Sequence, residues 1–230
     1  MGEVTLPGNP PLGINLRHSA RARRMTLRVS ALDGRITLTL PRGASAAQGL
    51  AFAREKEPWL RRHSAGVAEV APVVAGLLLP VEGQPRLIVP TQGRRLRLLP
   101  DRLEVPGPSD RLPARLAAWL KTMARDRLAA AADRHAARLG RPYTRLTLRD
   151  TRSRWGSCTM DGRLMFSWRL IMAPPEVLDY VAAHEVAHLA EMNHSPAFWA
   201  HVTALYGDWQ PQRLWLRQHG TGLHRYRFEA

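Results

Sequence analysis

The chain has 230 residues, with 34 Lys or Arg against 19 Asp or Glu and a single cysteine, Cys158. That length holds one core or two small ones, and a lone thiol excludes an intramolecular disulfide framework, so a reducing compartment is expected. The net charge of +15 is spread over both halves and would draw in acidic proteins, nucleic acid or polyphosphates, yet no zinc finger, helix-turn-helix or RNA-binding aromatic signature accompanies it.

The first residues carry no basic and apolar secretion signal. The most apolar run, Val67 to Val81, is interrupted by Glu69, Pro72 and Pro80 and is too short to span a bilayer. A soluble, cytoplasmic protein with no membrane partner is therefore expected. Residues 1–13 are rich in Pro and Gly and read as a flexible N-terminus. Arg21 to Ser30 and Arg35 to Leu40 alternate apolar and polar residues, and Ala31-Leu32-Asp33-Gly34 between them reads as a hairpin loop. Ala44 to Arg62 has helical spacing through Leu50, Phe52, Trp59 and Leu60. Short strands are expected at Arg86 to Val89, Arg95 to Leu99 and Leu103 to Val105, completing an N-terminal β-rich accessory lobe over 14–105.

Val105-Pro106-Gly107-Pro108-Ser109-Asp110 reads as a hinge between lobes, with 111–230 as the catalytic domain. Arg111 to Leu139 predicts a long amphipathic helix stopped by Gly140, with His135 on its polar face. Tyr143 to Arg149 predicts a strand. The segment from Arg152 to Cys158 and that from Leu164 to Leu170 read as an antiparallel pair joined by Asp161-Gly162, and such a strand can hold an extended substrate through its backbone groups.

Pro174-Pro175 then opens a helix containing His184-Glu185-Val186-Ala187-His188. H-E-x-x-H on a helix puts two imidazoles one turn apart with a carboxylate beside them. His184 and His188 can chelate one metal through neutral ring nitrogens, and Glu185, outside the ligand set, can accept a proton from metal-bound water. Catalytic zinc usually takes three protein groups. His194 would lie about 9 Å further along a continued helix, so the chain must turn between His188 and His194. Asn193 is the expected pivot, in the left-handed conformation, and Ser195-Pro196 the cap and first turn of a helix to Tyr206. Glu191 is the rival third ligand. A last helix begins at Pro211 and ends at Gly220.

Three blocks in this order and spacing, Arg154-Trp155-Gly156-Ser157-Cys158, Pro174 to Val181, and His184-Glu185-Val186-Ala187-His188 through Asn193-His194-Ser195-Pro196-Ala197-Phe198-Trp199, resemble the YgjP-like metallopeptidases. These are grouped with small zincins related to the SprT-like and WLM proteases. The resemblance covers most of residues 20 to 220 and implies a small α+β zincin-type domain. It further implies one Zn2+ per chain on His184, His188 and His194, catalytic Glu185, and a position near the site for Arg154 to Cys158. Where related proteins often have Asn, this chain has Ser167.

The favoured function is a zinc-dependent metallopeptidase acting on a peptide or protein: zinc acidifies its water and polarises the scissile carbonyl, while Glu185 shuttles the proton. Arg154, Tyr180, His224 and Tyr226 are candidates for oxyanion or substrate contacts. Two alternatives are a metal-dependent hydrolase of a phosphate-containing small molecule and a basic nucleic-acid-binding protein with a structural zinc.

Overall fold

A computed structural model of the chain describes residues 2–30, 34–65 and 70–229. It divides into two compact units between Val70 and Ala71. The first contains β1 (Gly2–Leu6), β2 (Leu12–Ser19), β3 (Thr26–Val29), β4 (Ile36–Pro41), α1 (Ala46–Glu55) and α2 (Glu57–Ala65). Its sheet has the order β1-β2-β4-β3, with β2 and β4 parallel and both outer strands antiparallel to their neighbours. Alternation decides the faces: Ile14, Leu16, Ile36, Leu38 and Leu40 are buried in a core shared with Ala53 and Leu60 of the helices.

Residues 2–13 do not form the loose terminus expected of 1–13: they build β1 and the start of β2. Leu6 and Leu12 are buried opposite one another in the β1–β2 ladder, so two short apolar anchors outweigh the Pro and Gly between them. The expected β3–β4 pair is present, while loop residues 31–33 lie outside the described residues. The single helix expected over 44–62 is two. Ser45 caps α1 with a reciprocal capping box through Gln48, and the chain leaves the helical region at Lys56 (φ −95°, ψ 9°) before α2 starts.

The second unit begins with β5 (Ala71–Pro72), β6 (Leu78–Val81), β7 (Gln84–Thr91), β8 (Arg97–Leu98) and β9 (Arg102–Pro106). It continues through α3 (Leu112–Leu139), β10 (Arg145–Arg149), β11 (Gly156–Cys158), β12 (Arg163–Ser167), α4 (Pro175–Ala187), α5 (Pro196–Tyr206), α6 (Gln210–His219) and β13 (Tyr226–Arg227). The expected hinge at 105–110 lies inside this unit. Leu79, Val81, Ile88, Leu103 and Val105 share one core with Leu116, Leu120 and Leu128 of α3 and Val177 and Val181 of α4. The Pro/Gly run is therefore a turn between packed elements, with Gly107 at φ +87°. The fold is mixed α+β, and among the described residues no helix is long and apolar enough to cross a membrane.

The 28-residue α3 ends at Gly140 in the left-handed region (φ 70°). His135 is buried, at 2% exposure, not on a polar face as expected. Its Nε2 lies 3.0 Å from Asp179 Oδ1 of α4, so a polar pair joins the two central helices. A three-stranded sheet of order β10-β12-β11 leaves β11 at an edge. The strand expected to reach Leu170 stops at Ser167 and becomes a 3-10 turn over Trp168–Met172.

Arg169 in that turn is 7% exposed. It meets Asp150 in a two-pronged pair at 2.6 and 3.0 Å and donates to the carbonyls of Leu223 and Tyr226, fastening the C-terminal segment. Burial works to raise the Asp150 pKa, but the hydrogen bond and charge of Arg169 outweigh it and hold the carboxyl below its ordinary value. A carboxyl with a depressed folded pKa contributes stability above its unfolded value and loses it as pH falls through the folded one. Asp150→Asn should thus be less stable than the parent above a pH of about 4, with the difference narrowing on further acidification. Urea unfolding at stepped pH checks this, and a difference that stays constant into acid would contradict it.

Candidate metal centre

Helix α4 starts with Pro175 at its first turn, where a missing N–H costs nothing. It runs through the core, burying Val177, Leu178, Val181, Ala182, Ala183 and Val186. Its last turns carry His184 and Glu185, and His188 follows as the cap residue (φ −64°, ψ −18°). The turn beyond does not use Asn193 in the left-handed region as expected; Glu82 is the one non-glycine with positive φ among the described residues. Instead the helix tightens: Leu189 N–H bonds Val186 O at 2.9 Å, and Ala190 and Glu191 N–H bond Ala187 O at 3.0 and 3.1 Å. Arg141 donates to the Leu189 carbonyl, one of the acceptors a helix end leaves open. Asn193 acts through its side chain, its Oδ1 accepting the Ser195 N–H at 2.8 Å. Ser195 then caps α5, its hydroxyl accepting the Phe198 N–H. These short-range bonds fix where His194 stands.

His184, His188 and His194 each offer a ring nitrogen, and the three atoms lie within 4.8 Å of one another. The His184 and His194 Nε2 atoms are 3.2 Å apart. Two nitrogens bound tetrahedrally to zinc at about 2.0–2.1 Å stand roughly 3.4 Å apart, so the spacing fits that ion. His188 Nδ1 lies 3.0 Å from the Glu191 carbonyl. A carbonyl only accepts, so Nδ1 carries the proton and Nε2 keeps its lone pair. Burial, then the neighbouring His188, His194 and Arg213, push the His184 pKa down to about 3, and burial lowers His188 as well. Both shifts favour neutral imidazole at His184 and His188, the form metals bind. His184 Nδ1 is buried without a hydrogen-bond partner among the described residues.

The fully buried Phe198 ring packs on all three imidazoles, at centroid distances of 4.9, 4.4 and 4.8 Å. Sequence spacing marks it only as a packing residue. Beside it Trp199 lies 5.7 Å from His184 and 5.9 Å from His194, stacks on Trp209 at 4.2 Å and carries Arg213 over its face.

Glu185 is 6% exposed. Burial pushes its pKa up to about 8, with Arg154 partly offsetting it; positive charge held at the imidazoles would pull it back further. Strand β11 lies against this carboxylate. A Cβ on Gly156 would stand 2.5 Å from Glu185 Oε1 and Cγ, so glycine is required by contact. The Trp155 carbonyl accepts from Ser167 N–H, and Thr159 N–H donates to the Arg163 carbonyl. Since backbone direction alternates along an antiparallel ladder, Ser157 bonds β12, while the N–H and C=O of Gly156 and Cys158 face the open edge. Trp155 anchors the segment against Gly220, where a Cβ would stand 2.9 Å from the indole, and against His224 at 5.2 Å.

A cleft of about 400 Å³ is lined by Arg154, Gly156, Cys158, Glu185 and Met192 together with the three histidines. Arg154 therefore meets the site. Tyr180 and Tyr226 are not among its lining residues: Tyr180 is buried edge-on to His184 at 6.0 Å, and Tyr226 pairs with Ala71 in the β13–β5 ladder. His224 is buried behind Trp155, its pKa lowered to about 4 by burial and Arg169. Glu191 contributes its backbone carbonyl to His188 and stands outside the cluster of ligand atoms.

A helix-borne glutamate and three convergent imidazoles on a mixed α+β frame define a small zincin-type domain. Residues 23–219 match the family described as YgjP-like, metallopeptidase domain, and the chain belongs to that family. Among solved structures it is similar to that of the metallopeptidase zymogen of Pyrococcus abyssi abylysin, with 18% identity, a TM-score of 0.36, and coverage of 40% of this chain and 92% of that one. No curated protein matches the chain.

Metal content of purified protein should separate the two acceptors of the third-ligand role. His194→Ala should lose most bound zinc, and Glu191→Ala, which keeps the carbonyl that orients His188, should retain it. The reverse pattern would overturn the ligand set.

Proposed function

We propose that this chain is a zinc-dependent metallopeptidase that hydrolyses peptide bonds, with His184, His188 and His194 holding one zinc and Glu185 as general base. The observation that carries this reading is that the buried Glu185 carboxylate touches β11 at Gly156 and lines one cleft with the three imidazoles. When bound, zinc supplies Lewis-acid polarisation of the scissile carbonyl and acidification of the attacking water. Glu185 takes the proton released on attack and returns it to the departing amine. An extended polypeptide pairs with the outward N–H and C=O groups of Gly156 and Cys158, which lays its backbone over the carboxylate. Arg154, exposed at the cleft and already acting on Glu185, is the cation available to a developing oxyanion. An unpaired strand edge favours polypeptide over a phosphate-containing small molecule. Action inside a reducing compartment is consistent with the single free thiol.

Cys158 lines the cleft, but burial and then Glu185 raise its pKa to about 11, so the thiol is a poor nucleophile near neutrality. Cys158→Ser should keep both zinc and turnover; its inactivity in a folded, zinc-loaded form would give sulfur a role this mechanism lacks.

Turnover per bound zinc, on a substrate found by peptide-library screening, tests the mechanism. Glu185→Gln should bind zinc as the parent does and lose about 10²–10⁴ in rate, the usual worth of general acid–base catalysis. Equal rates in the two proteins would sink the proposal. Gly156→Ala should also retain zinc while turnover drops, because its methyl displaces the Glu185 carboxylate and leaves the imidazoles in place. A Gly156→Ala enzyme with unchanged turnover would show that the close contact is dispensable.

A further inference from the structure

The first unit carries a strongly basic surface of its own. Residues 17–42 contain seven arginines and one acidic residue, Asp33. Strand register places them. The core-facing positions of β2 and β4 are Ile14, Leu16, Ile36, Leu38 and Leu40, so the opposite face of the sheet carries the alternate residues. One row across it reads Glu3, Asn15, Thr37, Arg28, and the next Arg17, Thr39, Thr26. Both α1 and α2 contribute to the core on the other face.

Topology adds to this charge. Parallel β2 and β4 run toward the same end of the sheet, and antiparallel β3 starts there. Arg21, Arg23 and Arg24 between β2 and β3, and Arg42 just past β4, therefore gather at that end. Arg17, Arg21, Arg23, Arg24, Arg28 and Arg42 are all exposed. None of these six has an ion pair among the described residues, whereas Arg61 and Lys56 of the same unit pair with Glu57 and Glu55. Among the described residues, the one acidic side chain in these rows, Glu3, leans over Gly13, away from the arginine end.

We infer that this sheet face binds the phosphodiester backbone of duplex nucleic acid without reading its sequence. Charge complementarity is the first argument: guanidinium forks pair two-pronged with phosphate oxygens. The second is what lies between them. Asn15, Thr26, Thr37 and Thr39 offer amide and hydroxyl groups of the kind that bond phosphate and sugar. The third is what the face lacks. Among the described residues it presents no exposed aromatic or large apolar side chain, which a protein–protein interface uses as an anchor, which an interfacial membrane contact buries, and on which single-stranded bases stack. Arg17 and Arg28 sit two strands apart, roughly 10 Å at the usual strand spacing, so they reach different phosphates. The inference does not depend on the metallopeptidase reading.

Fluorescence anisotropy of the full chain with a short mixed-sequence duplex DNA, titrated with salt, tests it. Binding should weaken steeply with salt, and each arginine that neutralises a phosphate should contribute about 0.9 to the slope of log K against log salt. Arg17→Ala and Arg28→Ala should each weaken binding of unrelated sequences alike and shallow that slope by about 1, and Thr39→Glu should weaken it without removing an arginine. Arg217→Ala, on α6, should leave affinity unchanged, and circular dichroism should show all four variants folded. Three results would overturn the proposal: duplex binding that the sheet variants leave intact, an equal loss in Arg217→Ala, or tighter binding of polyglutamate or of phosphatidylserine vesicles than of the duplex at the same ionic strength.

Discussion

The close approach of β11 to Glu185 is the contact on which the rest of the site depends. Gly156 admits the carboxylate at a distance no side-chain-bearing residue allows, and an edge strand one residue wide of this position would bring a Cβ over the proton acceptor instead of a backbone. Several remote features keep the strand there. Trp155 is wedged against Gly220 and His224, Arg169 ties the segment after Gly220 to Asp150 through four hydrogen bonds, and Ser157 is held by β12 in register. The basic Arg152-Ser153-Arg154 stretch is thus the lead-in to a strand whose backbone faces the cleft.

A second constraint acts on the helix side. Two imidazoles at the end of α4 and a third in the turn before α5 converge only if the chain reverses within a few residues, and the reversal uses side-chain and backbone hydrogen bonds instead of a strained residue. Phe198 then fills the space behind all three rings. Ring orientation here is set by packing, which is stiffer than a single hydrogen bond because displacing one imidazole disturbs the contacts of the other two.

Legibility from sequence followed the range of the interactions. His184, Glu185 and His188 were readable because their spacing is a local consequence of helical geometry, and Ser195 because a cap is a local signal. The turn at Asn193 is legible and its conformation is not, since a side-chain acceptor and a left-handed backbone favour the same residue type. Gly156 was visible in a motif, but its reason, a carboxylate from a helix 29 positions later in the chain, is tertiary. The boundary at Val70 escaped for the opposite cause. Pro106-Gly107-Pro108 has the composition of a linker, and only the burial of Leu103 and Val105 against α3 shows that it joins parts of one core. The burial of His135 is illegible because a lone histidine on an amphipathic helix carries no local sign of Asp179 opposite it.

Electrostatics divides the protein's two polar surfaces by the same rule. At the cleft, burial raises Glu185 and lowers His184 and His188, so these three groups are driven toward their neutral forms, as expected where an uncompensated charge would cost several kcal/mol. The buried side of the cleft strengthens the interaction with any charge brought to it, whether a cation on the imidazoles or an oxyanion forming near Arg154. Arg17, Arg21, Arg23, Arg24, Arg28 and Arg42 are exposed with no ion pair among the described residues, a setting in which a single contact is weak and only many phosphates presented together can yield affinity through release of their counterions. Selectivity at the first surface comes from geometry within a few ångströms, and at the second from the number and spacing of charges. Salt should therefore act strongly on one and little on the other.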